Sequence, residues 1–227
     1  MAKPLPKILD GLYADFEKWV DASREKGPKI EIVWSEDLDR FRDPKKEFKI
    51  KWIVVGHNPG KQERGTCNKA GLWIGRYFHP NGATGSWTRL ILAHDVRCLG
   101  DQVLFLEKTP ICSDNLEGLK SKDKHPLFKQ MQECMAKAVF GLQESTGAYV
   151  WIQGYSTSLD DPFMSFFSQL RGLYVNTAVT EARKNKVFKT YHMVSVMKGG
   201  RGFPVEELLG EGLAEALPKV AGFECLK

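Results

Sequence analysis

The chain has 227 residues, of which 42% are hydrophobic, 27% charged and 11% aromatic, a composition that supplies a core and excludes wholesale disorder. No apolar run approaches the roughly 20 residues of a bilayer span. Residues 1–10 lack the apolar stretch and cleavage pattern of a secretory leader, so a soluble, cytoplasmic protein with no membrane partner is expected. A net charge of +5 permits a polyanionic partner without requiring one. Cysteines at 67, 98, 112, 134 and 225, with no C-x-x-C pair, argue against a disulfide framework and against a standard zinc or iron–sulfur site; no metal and no cofactor are expected.

In chain order, Ile8, Leu12, Phe16 and Val20 recur near helical spacing and predict a helix over 8–26, ended by Gly27-Pro28. Residues 29–34 read as a short strand, and the charged run 35–46 as a solvated connection or short helix. K-I-K-W-I-V-V (49–55) reads as a strand rich in branched residues that runs straight into Gly56-His57-Asn58-Pro59-Gly60. After a long loop, 86–98 is predicted helical, with Ser86 as its N-cap and Gly100 beyond its end. A strand over 102–106, a helix over 126–142, a strand over 148–152, a helix over 161–170, a strand over 187–193 and a helix over 204–216 follow. Nothing repeats, and no low-complexity linker divides the chain. The alternation of apolar strands and helices predicts one three-layer α/β/α domain around a central, mainly parallel four-stranded sheet, with 1–46 as an N-terminal helix and connection and 47–217 as the core.

Open parallel sheets bind ligands just beyond the carboxyl ends of their strands. On that rim the sequence sets Gly56-His57-Asn58-Pro59-Gly60, Glu107-Lys108-Thr109-Pro110, Gln153-Gly154, and His192 followed by residues 195–200. Each alone has a plain structural explanation, since glycines turn the chain and Asn58 suits an Asx-turn. Together they mark a candidate site.

V-V-G-H-N-P-G (54–60) resembles the water-activating motif of the uracil-DNA glycosylase superfamily, in the asparagine branch that includes mismatch-specific and single-strand-selective glycosylases. A-G-L-W-I-G (70–75), E-K-T-P-I (107–111), V-W-I-Q-G (150–154) and His192 with Ser195 follow in the superfamily's order, and the resemblance spans about 47–217. It implies a monomeric DNA glycosylase of base-excision repair, which flips a nucleotide out of single- or double-stranded DNA and hydrolyses its N-glycosidic bond. Asn58 would bind the attacking water. An amide cannot take the water's proton, so Asn58 would only orient it, and slow turnover is expected. His192 would donate a hydrogen bond to a carbonyl of the departing base. The backbone of Gly56 and His57 would approach the base, Pro59 would stiffen the turn, and Trp73 or Ile74, nearest the family's stacking aromatic, would cover the base's face. Residues 193–201 would enter the minor groove, Met197 among the apolar residues filling the vacated space while Ser195, Lys198 and Arg201 hold phosphates. Lys61, Arg64, Lys69 and Arg76 would add positive charge on the same rim.

Glu107 departs from the family, whose uracil-reading members commonly have an asparagine there to offer a donor and an acceptor to the pyrimidine edge. An ionised carboxylate only accepts. Glu107 is therefore protonated, or it pairs with Lys108 and leaves reading to Asn115, or the preferred base is not uracil. A deaminated or damaged base is expected, uracil being the default. Two other functions stand beside this one: a glycosylase fold that binds nucleic acid with weak or no catalysis, and a small-molecule α/β hydrolase or transferase. The latter lacks both a G-x-S-x-G elbow and a phosphate-binding P-loop, leaving Cys67 or Cys112 as its nucleophile.

Overall fold

A computed structural model describes residues 3–25, 29–120, 125–154, 161–190 and 224–225. Helix α1 (Leu5–Glu25) buries Leu9, Leu12, Phe16 and Val20 along one face. It begins ahead of the expected start because Pro6 falls in the first turn, where a missing N–H leaves no bond unmade. Strand β1 (Val33–Ser35) leads into a 3-10 helix over Glu36–Arg42. That charged run is only partly solvated, since Leu38 and Phe41 anchor it in the core. Strand β2 (Trp52–Gly56) is buried throughout. Strands β3 (Thr66–Cys67) and β4 (Trp73–Gly75) occupy the stretch expected to be a loop, and they join β1 in a small sheet of order β1-β4-β3. Two or three residues per strand are too few to show an alternating pattern.

Helix α2 (Ala83–Ala93) starts after Gly82. Ser86 therefore lies inside its first turn, donating to the Ala83 carbonyl rather than capping the helix. Next come α3 (Leu99–Gln102), β5 (Val103–Glu107), α4 (Leu116–Lys120), α5 (Phe128–Thr146) and β6 (Tyr149–Ile152). The described elements end with α6 (Met164–Asn176), α7 (Glu181–Lys184), β7 (Val187–Lys189) and β8 (Glu224–Cys225). The expected continuation of the last core strand to 193 and the helix over 204–216 lie outside the described residues.

The main sheet has the order β5-β2-β6-β7-β8. Its first four strands are parallel, and β8 adds an antiparallel edge, one strand more than expected. The register aligns Trp52 with Val103 and Tyr149, Val54 with Phe105 and Trp151, and Gly56 with Glu107. Because side chains alternate along a strand, these aligned residues share one face. That face meets α2 and the turn after it: the Arg89 guanidinium lies 4.4 Å over the Phe105 ring, and the Trp52 indole donates to Asp95. The opposite face, with Ile53, Val55, Leu106 and Ile152, meets α5, against which α1 and α6 pack. Helices thus cover both faces, and the fold is a three-layer α/β/α domain.

Candidate functional site

The parallel register brings the ends of β2, β5 and β6 to one rim, where backbone bonds stitch them together. Lys108 N donates to Gly56 O at 3.2 Å and Gln153 N to Val55 O at 2.9 Å. Of the sequence-predicted site residues, Gly56, His57, Asn58, Pro59 and Glu107 meet here.

The His57 ring lies stacked on Phe163 with centroids 4.8 Å apart, and its Nε2 donates to the Gly154 carbonyl at 2.8 Å. Gly154 has φ +67, and a Cβ there would overlap the His57 imidazole, so glycine is required twice over. Asn58 donates through Nδ2 to Pro59 O at 3.1 Å and to Ser113 O at 2.8 Å. Ser113 N returns a bond to Pro59 O at 2.9 Å, which ties the turn after β2 to the loop after β5. With both amide protons committed, the Asn58 Oδ1 remains as an acceptor that takes no hydrogen bond among the described residues.

Glu107 and Lys108, adjacent at the end of β5, point to opposite faces of the sheet. Lys108 is fully buried; its Nζ donates to the Gln153 carbonyl, sits 3.4 Å from the Gly154 carbonyl, and lies 4.9 Å from the Phe163 ring centroid. Burial lowers its ammonium to about 7, with Glu107 and Asp161 pulling the other way. Glu107 is 3% exposed on the face shared with α2, and its Oε2 has no hydrogen-bond partner among the described residues. Burial raises its carboxyl well above the ordinary range; the charge of Glu63 acts in the same direction and Lys108 against it. Lys108's nitrogen is engaged on the far face, which disfavours a Glu107–Lys108 pair. Asn115 is exposed and its Oδ1 accepts from Gly118 N at 2.6 Å, so it is occupied in its own turn.

Two contributors went unnoticed in the sequence. Glu63 folds back to accept from Gly60 N at 2.8 Å and from His79 N at 3.3 Å, and burial raises its carboxyl. Glu63 stands three residues after Gly60, the spacing at which a glutamate reaches back to the N-cap N–H, but glycine has no side chain to complete the capping box that would have marked it in the sequence. Tyr77 is fully buried and donates to Val33 O; burial, then the charges of Glu107 and Glu63, raise its phenol well above the ordinary value. Only the fold brings it near Glu107.

Trp73 and Ile74 lie on β4 of the small sheet, half-buried. Arg64 covers one face of the Trp73 indole at 4.3 Å and is held by both oxygens of Glu31 at 2.9 Å. The cations expected on the rim are largely neutralised. Lys61 pairs with Asp114 at 2.6 Å, Arg64 with Glu31, and Arg76 with Asp37 at 3.2 Å, while Lys69 is exposed. His192, Ser195, Met197, Lys198 and Arg201 lie outside the described residues. Among the described residues no cluster of His, Cys, Asp or Glu is arranged to hold a metal, and no helix is long and apolar enough to cross a membrane. No protein-family model and no curated protein matches the chain.

Proposed function

We propose that this protein is a glycosylase of the uracil-DNA glycosylase type, hydrolysing the N-glycosidic bond of a deaminated or damaged base flipped out of DNA. The observation that carries this reading is the Asn58 amide. Both its protons are fixed on the Pro59 and Ser113 carbonyls, and its Oδ1 is left to accept from a ligand or water at the rim where Gly56 and Glu107 also end. An acceptor clamped in this way orients a water by taking one hydrogen bond from it, and cannot remove its proton. The C1′–N bond therefore breaks first, its electron pair leaving with the base. Water oxygen then adds to C1′, one water proton being released to the base or to solvent. His192, three residues beyond β7 in sequence, is by the resemblance the group for the negative charge on the departing base. Turnover is slow because Asn58, an amide, orients the water without serving as its base.

The test is incubation with single- and double-stranded oligonucleotides carrying uracil, hypoxanthine or xanthine, followed by alkali. Strand breaks that fall on the order of 10²-fold in Asn58→Ala and in His192→Ala support the reading. Tight binding with no abasic product would replace the enzyme with a nucleic-acid-binding module of the same fold. Neither cleavage nor binding would overturn both.

A further inference from the structure

Lys61, Arg64 and Arg76, beside the candidate site, are held in ion pairs. Unpaired positive charge gathers instead at the opposite rim, where β2 and β5 begin. Residues 40–51 carry six cations against two carboxylates, in a chain whose net charge is +5. There the segment before β2 meets α3 through the Lys51 N to Gln102 O bond at 2.8 Å, and the two enclose a cleft of about 720 Å³, a volume typical of ligand-binding clefts. Arg40, Lys46, Lys49 and Arg97 line it, against Glu47 and Asp101. The Arg40 guanidinium lies over the bare backbone of Gly100, in space a Cβ would take. Asp101 stands 3.8 Å from Arg40 and Asp43 3.9 Å from Lys46, too far for hydrogen bonds, and neither the Lys49 nor the Arg97 side chain has a partner among the described residues. The backbone that carries Arg97 is fixed, because Gln102 Oε1 accepts from Arg97 N at 2.9 Å and from Cys98 N at 3.1 Å. Phe48, half-buried in the wall of the cleft, is held edge-on to Phe41 with centroids 4.7 Å apart.

We propose that this cleft binds single-stranded nucleic acid, with phosphates at Arg40, Lys49 and Arg97 and a base stacked on the Phe48 ring. It is a second site, separated from Gly56 by the length of β2, roughly 15 Å, and it does not depend on the glycosylase reading. A strand brings several phosphates to this group of cations and releases the counterions that each of them holds. The aromatic ring among the cations selects the kind of polyanion. A duplex keeps its base faces covered by their neighbours, whereas a single strand offers an open face to Phe48, and stacking of this kind tolerates any base.

The experiment measures the fluorescence anisotropy of a short labelled thymidine oligonucleotide, which carries no uracil or damaged base, over a range of salt concentrations. For single strands the logarithm of the binding constant falls with the logarithm of salt by about 0.7 per phosphate contact, so the double variant Lys49→Gln/Arg97→Gln is expected to lose roughly 1.4 of the wild-type slope. Phe48→Leu is expected to weaken binding by roughly 5- to 150-fold at every salt concentration and to leave the slope as it is. A further readout needs no variant: photocrosslinking of the wild type to a strand containing 4-thiothymidine, mapped by mass spectrometry, is expected to mark residues 46–49 and 97–98. No binding at low salt, an unchanged slope in the double variant, or an equal loss of slope in Lys129→Gln on the exposed face of α5 overturns the proposal. So do displacement of the strand by free thymidine monophosphate at equal nucleotide concentration and crosslinks confined to other surfaces. Because this strand holds no base to excise, the glycosylase reading stands or falls by its own assay.

Discussion

Gly154→Ala isolates the joint between the β2 and β6 loops. At φ +67 an alanine sits in the left-handed region at about 1 kcal/mol. Its methyl would occupy the space of the His57 ring, so the ring must rotate out. That removes the 2.8 Å bond to the Gly154 carbonyl, about 1 kcal/mol, and the 4.8 Å stack on Phe163, about another 1 kcal/mol. The expected destabilisation is about 3 kcal/mol, or roughly 6–12 °C in Tm for a chain of this size. Urea unfolding of Gly154→Ala in the wild-type and His57→Ala backgrounds separates the contributions. With the ring already gone, only the backbone cost of about 1 kcal/mol remains, so a coupling of about 2 kcal/mol is expected. An equal cost in both backgrounds would show that His57 does not fill this space, and the account of the β2–β6 joint would fall.

Asn58→Asp replaces the amide nitrogen that donates to both the Pro59 and Ser113 carbonyls with a single oxygen that faces them, at a loss of about 2 kcal/mol. The loss shrinks toward about pH 4, where the acid regains one O–H; urea unfolding at acid and neutral pH checks this, and a loss independent of pH would refute it. Burial holds Lys108 at about 7 against 10.5 in the unfolded chain, so between those values the unfolded state binds the extra proton and this group's contribution to stability rises with pH. Glu107 acts in the opposite sense: its carboxyl is raised above 4.5, so its contribution is full below that value and is lost as pH climbs through the folded-state pKa. Unfolding free energies measured across this range should lose the alkaline rise in Lys108→Met and the decline with rising pH above 4.5 in Glu107→Gln; persistence of either slope in its own variant contradicts the assignment.

Much of the main sheet could be read from composition and period. W-I-V-V, V-L-F-L and Y-V-W-I are apolar on both faces, as strands covered by helices on each side must be, and the alternation with helices settled the three-layer architecture. The α1 and α5 faces were equally legible, because one buried stripe per helix leaves a 3.6-residue repeat. The small β1-β4-β3 sheet and the β8 edge were not, because their strands are too short for a period and are held by long-range partners such as Pro110 O and Phe188.

At the candidate site, residue order alone announced Asn58 and Glu107 at strand ends, since a strand followed by a polar turn declares itself locally. Which of its neighbours each side chain meets was decided only in three dimensions. The pleat sends Glu107 and Lys108 to opposite faces, so two residues adjacent in sequence do not pair. The Asn58 clasp to Ser113, the His57 seat on Gly154 and the closeness of Glu63 and Tyr77 to Glu107 join segments far apart along the chain. Local preference fixes the period and turn of each segment; the register between strands fixes which turns converge, and with them the protonation of the groups they bury.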